Sequence, residues 1–322
     1  MKSAILINIF ILVSLPLCAQ TEGMIVPADL KQQTIITEPA TLHKGFFRVG
    51  ILSYYGVADK MFDEEKNKDY IPESTWATSW DIGTLLQYGV TDRLTLDLLI
   101  PYRNEIWNYY QSYTSAEYNT TQEESWDLQG KGLSDVTFST RYQLIPESES
   151  RPSLTGSLHI TLPTGSKNPE NVVDNYDYDL PTGYGSVALQ PEFRLRRISY
   201  PFSYIGYMSY TYNLPGTKII DATDTQESEF KYGNRIDLGA SFNFHINDWV
   251  AVTNDLNYFF TGKGEQENIA ERDLYTKWGL SYETMLVFQI RRVRLAEAVR
   301  IPIKGKMISA DPLYVILVQY TF

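Results

Sequence analysis

The closing ten residues, Leu313-Tyr-Val-Ile-Leu-Val-Gln-Tyr-Thr-Phe322, decide how this chain is read. Counting back from Phe322, every second residue is Tyr320, Val318, Ile316 and Tyr314, an apolar face with aromatics toward both ends. Thr321 and Gln319 begin a more mixed opposite face. Side chains alternate faces along a strand, so this is a strand with one wholly apolar side. The same parity runs upstream. In 76–90 the even positions include Trp76, Trp80, Ile82, Leu86 and Tyr88, against Ser79, Asp81 and Gln87. In 93–103 Leu94, Leu96, Leu98, Ile100 and Tyr102 oppose Thr95, Asp97 and Arg103. Val136, Phe138 and Tyr142 oppose Asp135, Ser139 and Arg141, and Leu154, Leu158 and Ile160 oppose Thr155, Ser157 and His159. Phe193 and Leu195 oppose Glu192 and Arg194; Ile236, Leu238 and Phe242 oppose Arg235, Asp237 and Asn243; Trp278, Leu280 and Leu286 oppose Ser281 and Glu283.

So many alternating segments in order predict an all-β, transmembrane antiparallel barrel, apolar toward lipid and polar toward its interior. Segments 46–56, 202–213, 249–261 and 294–303 are less clean, with Asn254 and Glu297 on the lipid-facing parity of theirs. A bulge or a place near the rim accounts for them equally well. The connections alternate between short turns, such as Thr91-Asp92 and Arg291-Arg292, and long polar stretches at about 57–74, 107–130, 164–183, 214–231, 262–273 and 304–311. Outer-membrane barrels have short periplasmic turns and long external loops, so the pattern gives about twelve strands with both termini periplasmic. Trp76 and Tyr88 on one strand lie roughly 30 Å apart, the height of an apolar band with its aromatic girdles. Ile100-Pro101, Leu162-Pro163, Leu214-Pro215 and Ile301-Pro302 are expected at the outer strand ends, because proline cannot donate a ladder bond. Pro191, in mid-strand, suggests a bulge. A secreted β-sandwich also alternates apolar and polar residues, but it needs neither an aromatic terminus nor regular short and long loops.

The start of the chain fits export. Lys2, the apolar run Ala4 to Leu17 and the zone Leu17-Cys18-Ala19-Gln20 form a signal peptide over residues 1–20. A lipoprotein reading of Cys18 is weakened by Leu17, where a small residue is wanted. Residues 21–43 form an N-terminal periplasmic extension and 44–322 the barrel. The extension carries Ile25, Val26, Leu30, Ile35 and Ile36, so a plug inserted in the lumen is an alternative to a tail. Cleavage leaves no cysteine in the mature chain, which removes disulfides, thiol catalysis and Cys-bound zinc. With 28 basic and 39 acidic residues the net charge is −11, which argues against nucleic acid. Mean hydropathy is −0.27, far too polar for a helical membrane protein but ordinary for a barrel. The 24 Tyr, 6 Trp and 14 Phe suit interfacial girdles.

A chain ending in such a strand with a terminal Phe resembles outer-membrane barrels, and the resemblance makes Tyr320 and Phe322 the insertion signal read by the barrel assembly machinery. More specifically, Val90-Thr-Asp-Arg-Leu-Thr-Leu-Asp-Leu-Leu-Ile-Pro-Tyr102, Gly130-Lys-Gly-Leu-Ser-Asp-Val-Thr-Phe138 and Leu162-Pro-Thr-Gly-Ser-Lys-Asn-Pro169 occur in order. They resemble the outer-membrane "transporter" barrels of the meta-pathway of phenol degradation. That resemblance implies a barrel admitting small aromatic or apolar compounds and transfers no functional residues.

Parity itself supplies the candidate pore lining: Arg48, Asp81, Asp97, Arg103, Asp135, Arg141, His159, Glu192, Arg194, Arg235, Asp237, Asp255, Glu283 and Arg300. A charge facing lipid at midplane costs ~2–4 kcal/mol, so these groups must face inward whether they line a channel or fill a structural or adhesion barrel. The first reading makes the protein an outer-membrane channel for passive passage of small solutes. A lipase-like enzyme would need a Ser–His pair on the exterior; His159 and His245 fall on the inward parity and His43 precedes the first strand, so no catalytic residues are assigned. No cofactor is expected, and no His or carboxylate spacing suggests a metal. The acidic stretches Asp63-Glu64-Glu65 and Glu265-Gln266-Glu267 read as solvated loop surface, with cation bridging to lipopolysaccharide as a lesser reading. Trp107, Tyr109, Tyr110, Tyr113 and Tyr118 form either a capture surface or a packed cover over the mouth. Outer-membrane lipid, lipopolysaccharide and a small-molecule solute complete the expected partners.

Overall fold

The computed structural model describes residues 41–70, 76–115, 120–148, 151–174, 177–219, 226–247, 249–266 and 276–322. The signal peptide and extension residues 21–40, including every plug candidate from Ile25 to Ile36, lie outside them, as do Tyr118 and Glu267. Twelve antiparallel strands close into a barrel. They are β1 (Phe47–Ala58), β2 (Trp76–Thr91), β3 (Leu94–Ser115), β4 (Val136–Ile145), β5 (Ser153–Leu162), β6 (Ala188–Ser199), β7 (Phe202–Asn213), β8 (Arg235–Asn247), β9 (Val250–Thr261), β10 (Lys277–Ile290), β11 (Val293–Lys306) and β12 (Leu313–Thr321). Each pairs with the next, and β1 pairs with β12 from Arg48↔Thr321 to Tyr55↔Tyr314, so the barrel sheet has no open edge. The described residues contain no helix.

The outward parity is the expected one. Ile51 and Met208 remain 54% and 53% exposed, and Leu158, Phe193, Leu238, Leu256, Ile316 and Val318 stand beside them on one continuous outer belt. Aromatics cluster toward its edges. Phe202 meets Phe242 and Phe244 at 5.4 and 5.5 Å, and Phe47 meets Phe322 at 6.0 Å. Trp80, facing out, donates its indole N–H to Ser53 at 2.9 Å, which satisfies a donor that lipid would leave bare.

Several expectations about strand ends change. The stretch 107–130 is no loop: β3 continues to Ser115 and pairs with a further strand, Thr120–Leu133, in a hairpin standing beyond the barrel wall. Short strands also occupy the other long connections, as in Lys60–Phe62, Lys68–Tyr70 and Ser228–Lys231. Pro163 and Pro215 do follow strand ends, but Pro101 and Pro302 lie within β3 and β11. Pro101 sits where β3 changes partner, between Leu99↔Thr137 and Tyr102↔Leu133, so its missing N–H falls in a break of one ladder. Pro302 sits at the bulge opposite Leu280 and Ser281. Pro191 makes no bulge: the register through Pro191↔Leu158 is continuous, and pairing to β7 merely skips from Leu189↔Tyr212 to Glu192↔Ser209. Register is also unbroken through Asn254 and Glu297. Asn254 does face outward, where it accepts a hydrogen bond from the Tyr282 hydroxyl. Glu297 also faces outward, five residues beyond the Arg291–Arg292 turn and opposite Leu286 and Ile316.

Candidate functional site

Inward-facing residues divide the barrel interior into two walls. On β2 to β6 one row of cross-strand partners runs Gln87, Asp97, Ser139, His159, Gln190. Asp97, 2% exposed, accepts from Gln87 Nε2 at 2.7 Å and Arg141 Nη2 at 3.0 Å. His159 Nδ1 lies 2.8 Å from Ser139 Oγ, while Thr161 meets Thr137 at 2.9 Å. This Ser–His contact is buried inside the barrel, away from the lipid-facing exterior that a lipase would use.

The remaining candidate residues come together mainly as ion pairs. Arg194 binds Glu192 at 3.1 Å, Arg235 binds Asp237 at 2.6 Å, Arg300 binds Glu283 at 3.1 Å, and Arg103 lies 3.8 Å from Asp81. Arg235 also lies over the Phe259 ring at 4.2 Å. Asp255 sits directly opposite Glu283 across β9 and β10 and is held by the Ser241 hydroxyl and by Tyr207 Oη at 3.2 Å. Tyr207 in turn accepts from Asn257 Nδ2 at 2.9 Å and lies across Gly239, where a Cβ would be 2.0 Å from its ring. Arg48, at the periplasmic end, donates to Thr321 at 2.9 Å. With one partner removed, a buried pair of this kind costs ~3–5 kcal/mol, far more than a surface pair.

The opposite wall was not anticipated. Leu52 and Tyr54 of β1, Leu85 of β2, Leu99 of β3, Met285 and Val287 of β10, Ala296 and Ala298 of β11, and Leu313, Val315 and Leu317 of β12 form one apolar cluster with Ala251 of β9. All face inward and are nearly fully buried. At the periplasmic end, Leu42 N donates to Thr95 Oγ1 at 2.8 Å and Thr41 donates to the Asp92 carbonyl at 2.7 Å. The His43 carbonyl passes so close to Gly89 that a Cβ there would be 2.0 Å away.

At the outer rim Asp135 is a keystone. It is fully buried, its Oδ1 accepts from Gly165 N at 3.0 Å and its Oδ2 from Tyr184 N at 2.7 Å. Desolvation raises its pKa, an effect those two N–H groups oppose. Ser134 Oγ donates to the Thr182 carbonyl at 2.5 Å, and Thr182 Oγ1 to the Leu133 carbonyl at 2.8 Å. Gly165 and Gly183 cross with a built Cβ of either within 3 Å of the other's backbone, so neither tolerates a side chain. The two loops carry the same tripeptide, Pro163-Thr-Gly165 and Pro181-Thr-Gly183, a repeat that would have flagged the junction from sequence. Tyr184 then packs edge-on to Tyr232 at 5.6 Å and beneath it Arg103 approaches the ring at 5.8 Å. Among the described residues no group of three or more His, Cys, Asp or Glu side chains is placed to hold a metal ion.

No family model matches the chain. Among solved structures it is similar to an outer-membrane channel of Pseudomonas putida F1, with 12% identity over 88% of this chain and 97% of that one and a TM-score of 0.67. It also matches the translocator domain of the autotransporter NalP from Neisseria meningitidis (8% identity, 92% and 94% covered, TM-score 0.50). The β domain of the Bordetella autotransporter BrkA is similar to a like degree (11%, 87% and 100%, 0.50). The fold is that of outer-membrane barrels. With its exposed apolar belt and aromatic edges, the chain belongs in the outer membrane.

Proposed function

We propose that the protein is a passive outer-membrane channel for small amphipathic solutes, those pairing an apolar ring or chain with a polar group. The observation that carries this is an interior with an apolar cluster centred on β1 and β9 to β12 and neutralised arginine–carboxylate pairs on β3 to β8, with the Arg300–Glu283 pair on β10 and β11 at the seam between them. A filler-only interior gains nothing from segregating the two, whereas a solute with two unlike sides is oriented by them. The fold similarity to a channel and the motif resemblance to phenol-pathway barrels support the same reading. Outer-membrane lipid and lipopolysaccharide surround the barrel in this reading, and the assembly machinery engages Tyr320 and Phe322. The test is flux of phenol and of glucose into proteoliposomes, beside planar-bilayer conductance. Phenol entry well above that of empty liposomes is expected; equal entry overturns the proposal. A structural barrel is the second reading, favoured by the near-complete burial of Asp97, Thr137, Asp237 and Asn243. It predicts no flux of either solute.

A further inference from the structure

Among the described side chains, the hairpin of β3 and Thr120–Leu133 carries three rings that neither the lipid belt nor the interior walls use. Trp107 stacks on Tyr109 with centroids 6.1 Å apart and planes 18° apart, and Tyr109 stacks on Trp126 across the hairpin at 5.6 Å and 9°. Trp107 and Tyr109 continue the inward parity of Arg103 and Glu105, so the stack stands on the mouth side of the hairpin, not the lipid side. It begins at the level of Trp76, whose backbone neighbour is Asn108, and rises above the membrane's outer edge. The Trp107 indole N–H donates to Glu105 Oε1 at 2.7 Å, which fixes a carboxylate at the foot of the stack. All three rings stay half-buried, leaving aromatic surface open to water.

The geometry points to a capture site at the outer mouth for a planar, uncharged aromatic solute bearing a hydroxyl group. Near-parallel rings at these spacings are extended by another flat ring in offset stacking, and the Glu105 carboxylate accepts the solute hydroxyl. A pyranose lacks a flat π-face to continue the stack. An organic cation gains little, because the buried Arg103 charge already offsets the Glu105 carboxylate. Hairpin stability alone explains the cross-strand Tyr109–Trp126 pair; it does not explain Trp107, stacked along its own strand above a fixed carboxylate. The site rests on the channel reading in that it supplies the solute the barrel passes.

The test is quenching of tryptophan fluorescence by 4-nitrophenol in the refolded full chain, below neutral pH so that the probe keeps its hydroxyl proton, with heat-modifiable migration as the check on folding. Saturable quenching is expected, weakened roughly three- to tenfold in Trp107→Ala and in Trp126→Ala. Trp107→Phe should restore binding within about twofold, and Trp249→Phe, at a periplasmic turn, should leave it unchanged. Glu105→Gln should weaken 4-nitrophenol binding but not that of nitrobenzene, which has no hydroxyl. Quenching that does not saturate, or that survives Trp107→Ala unchanged in folded protein, overturns the capture site. Because binding is read without flux, a barrel that binds but does not pass phenol would sink the channel reading alone. One that passes phenol without binding it would sink only this one.

Discussion

Gly239 has no side chain because Tyr207 occupies the space where one would be. The ring covers a glycine in mid-strand while its hydroxyl joins Asp255 and Asn257, so one residue both fills the interior and ties β7 to β9. Gly239→Ala forces that ring aside. It should destabilise the barrel by about 1–3 kcal/mol, read as a lower urea midpoint for loss of heat-modifiable migration; an unchanged midpoint would mean Tyr207 has another accessible rotamer. Glu227 illustrates a different control. Hydrogen bonds from Lys167 at 2.6 Å, Thr217 at 2.6 Å and Asn168 at 2.9 Å clasp two external loops and hold its pKa down at about 2. A carboxylate with a depressed folded pKa contributes stability above its ordinary value of 4.5, and loses that contribution as pH falls toward 2. Pepsin should therefore leave the flanking segments 214–219 and 226–231 intact at pH 4 and cut them at pH 2, whereas Lys167→Ala should be cut at both. Equal cleavage of the native chain at both pH values would show that the clasp does not order the loops.

Asp135 works through elements, since its two oxygens join the loops after β5 and before β6 to the start of β4. Asp135→Ala leaves two N–H groups without their acceptor, each worth about 1–3 kcal/mol if still buried. The loops should then open, giving trypsin cleavage at Lys167 and a larger conductance step; an intact loop with native conductance would remove the keystone role. The elements also explain what could be read in advance. The strands β2 to β6, β8 and β10 were legible because one face is greasy and the other polar or charged, and β12 because its outward face is wholly apolar with aromatics toward both ends. Segments 46–56, 202–213, 249–261 and 294–303 were not, and they supply Leu52 and Tyr54, Ile205 and Tyr207, Ala251, and Ala296 and Ala298 to the interior. Where lipid and interior are both apolar, the period-two contrast disappears, and no irregularity of pairing is needed to explain it. The hairpin beyond the membrane was missed for the converse reason. Its polar, Tyr-rich sequence 107–130 resembles a loop, and only the backbone ladder makes it a sheet.

For the whole molecule, the net charge of −11 is a poor guide to what crosses the barrel. Arg141–Asp97, Arg194–Glu192, Arg235–Asp237 and Arg300–Glu283 neutralise one another within 2.6–3.1 Å. Among the described residues such pairing offsets the inward charges rather than building a ring of one sign, and the apolar cluster solvates ions poorly. On the proposed channel reading, low conductance with weak selectivity is expected, together with passage of uncharged amphipathic molecules. The pair nearest a second carboxylate tests this best. Glu283→Gln keeps the shape of the side chain but removes the negative charge 3.1 Å from Arg300, with Asp255 opposite position 283 as a neighbouring carboxylate. Reversal potentials under a salt gradient should then shift toward anions, while phenol flux stays within about twofold. An unshifted potential with conductance intact would place Arg300 outside the ion path, and a matching loss of phenol flux would mean that the charged wall, not the apolar one, carries the solute.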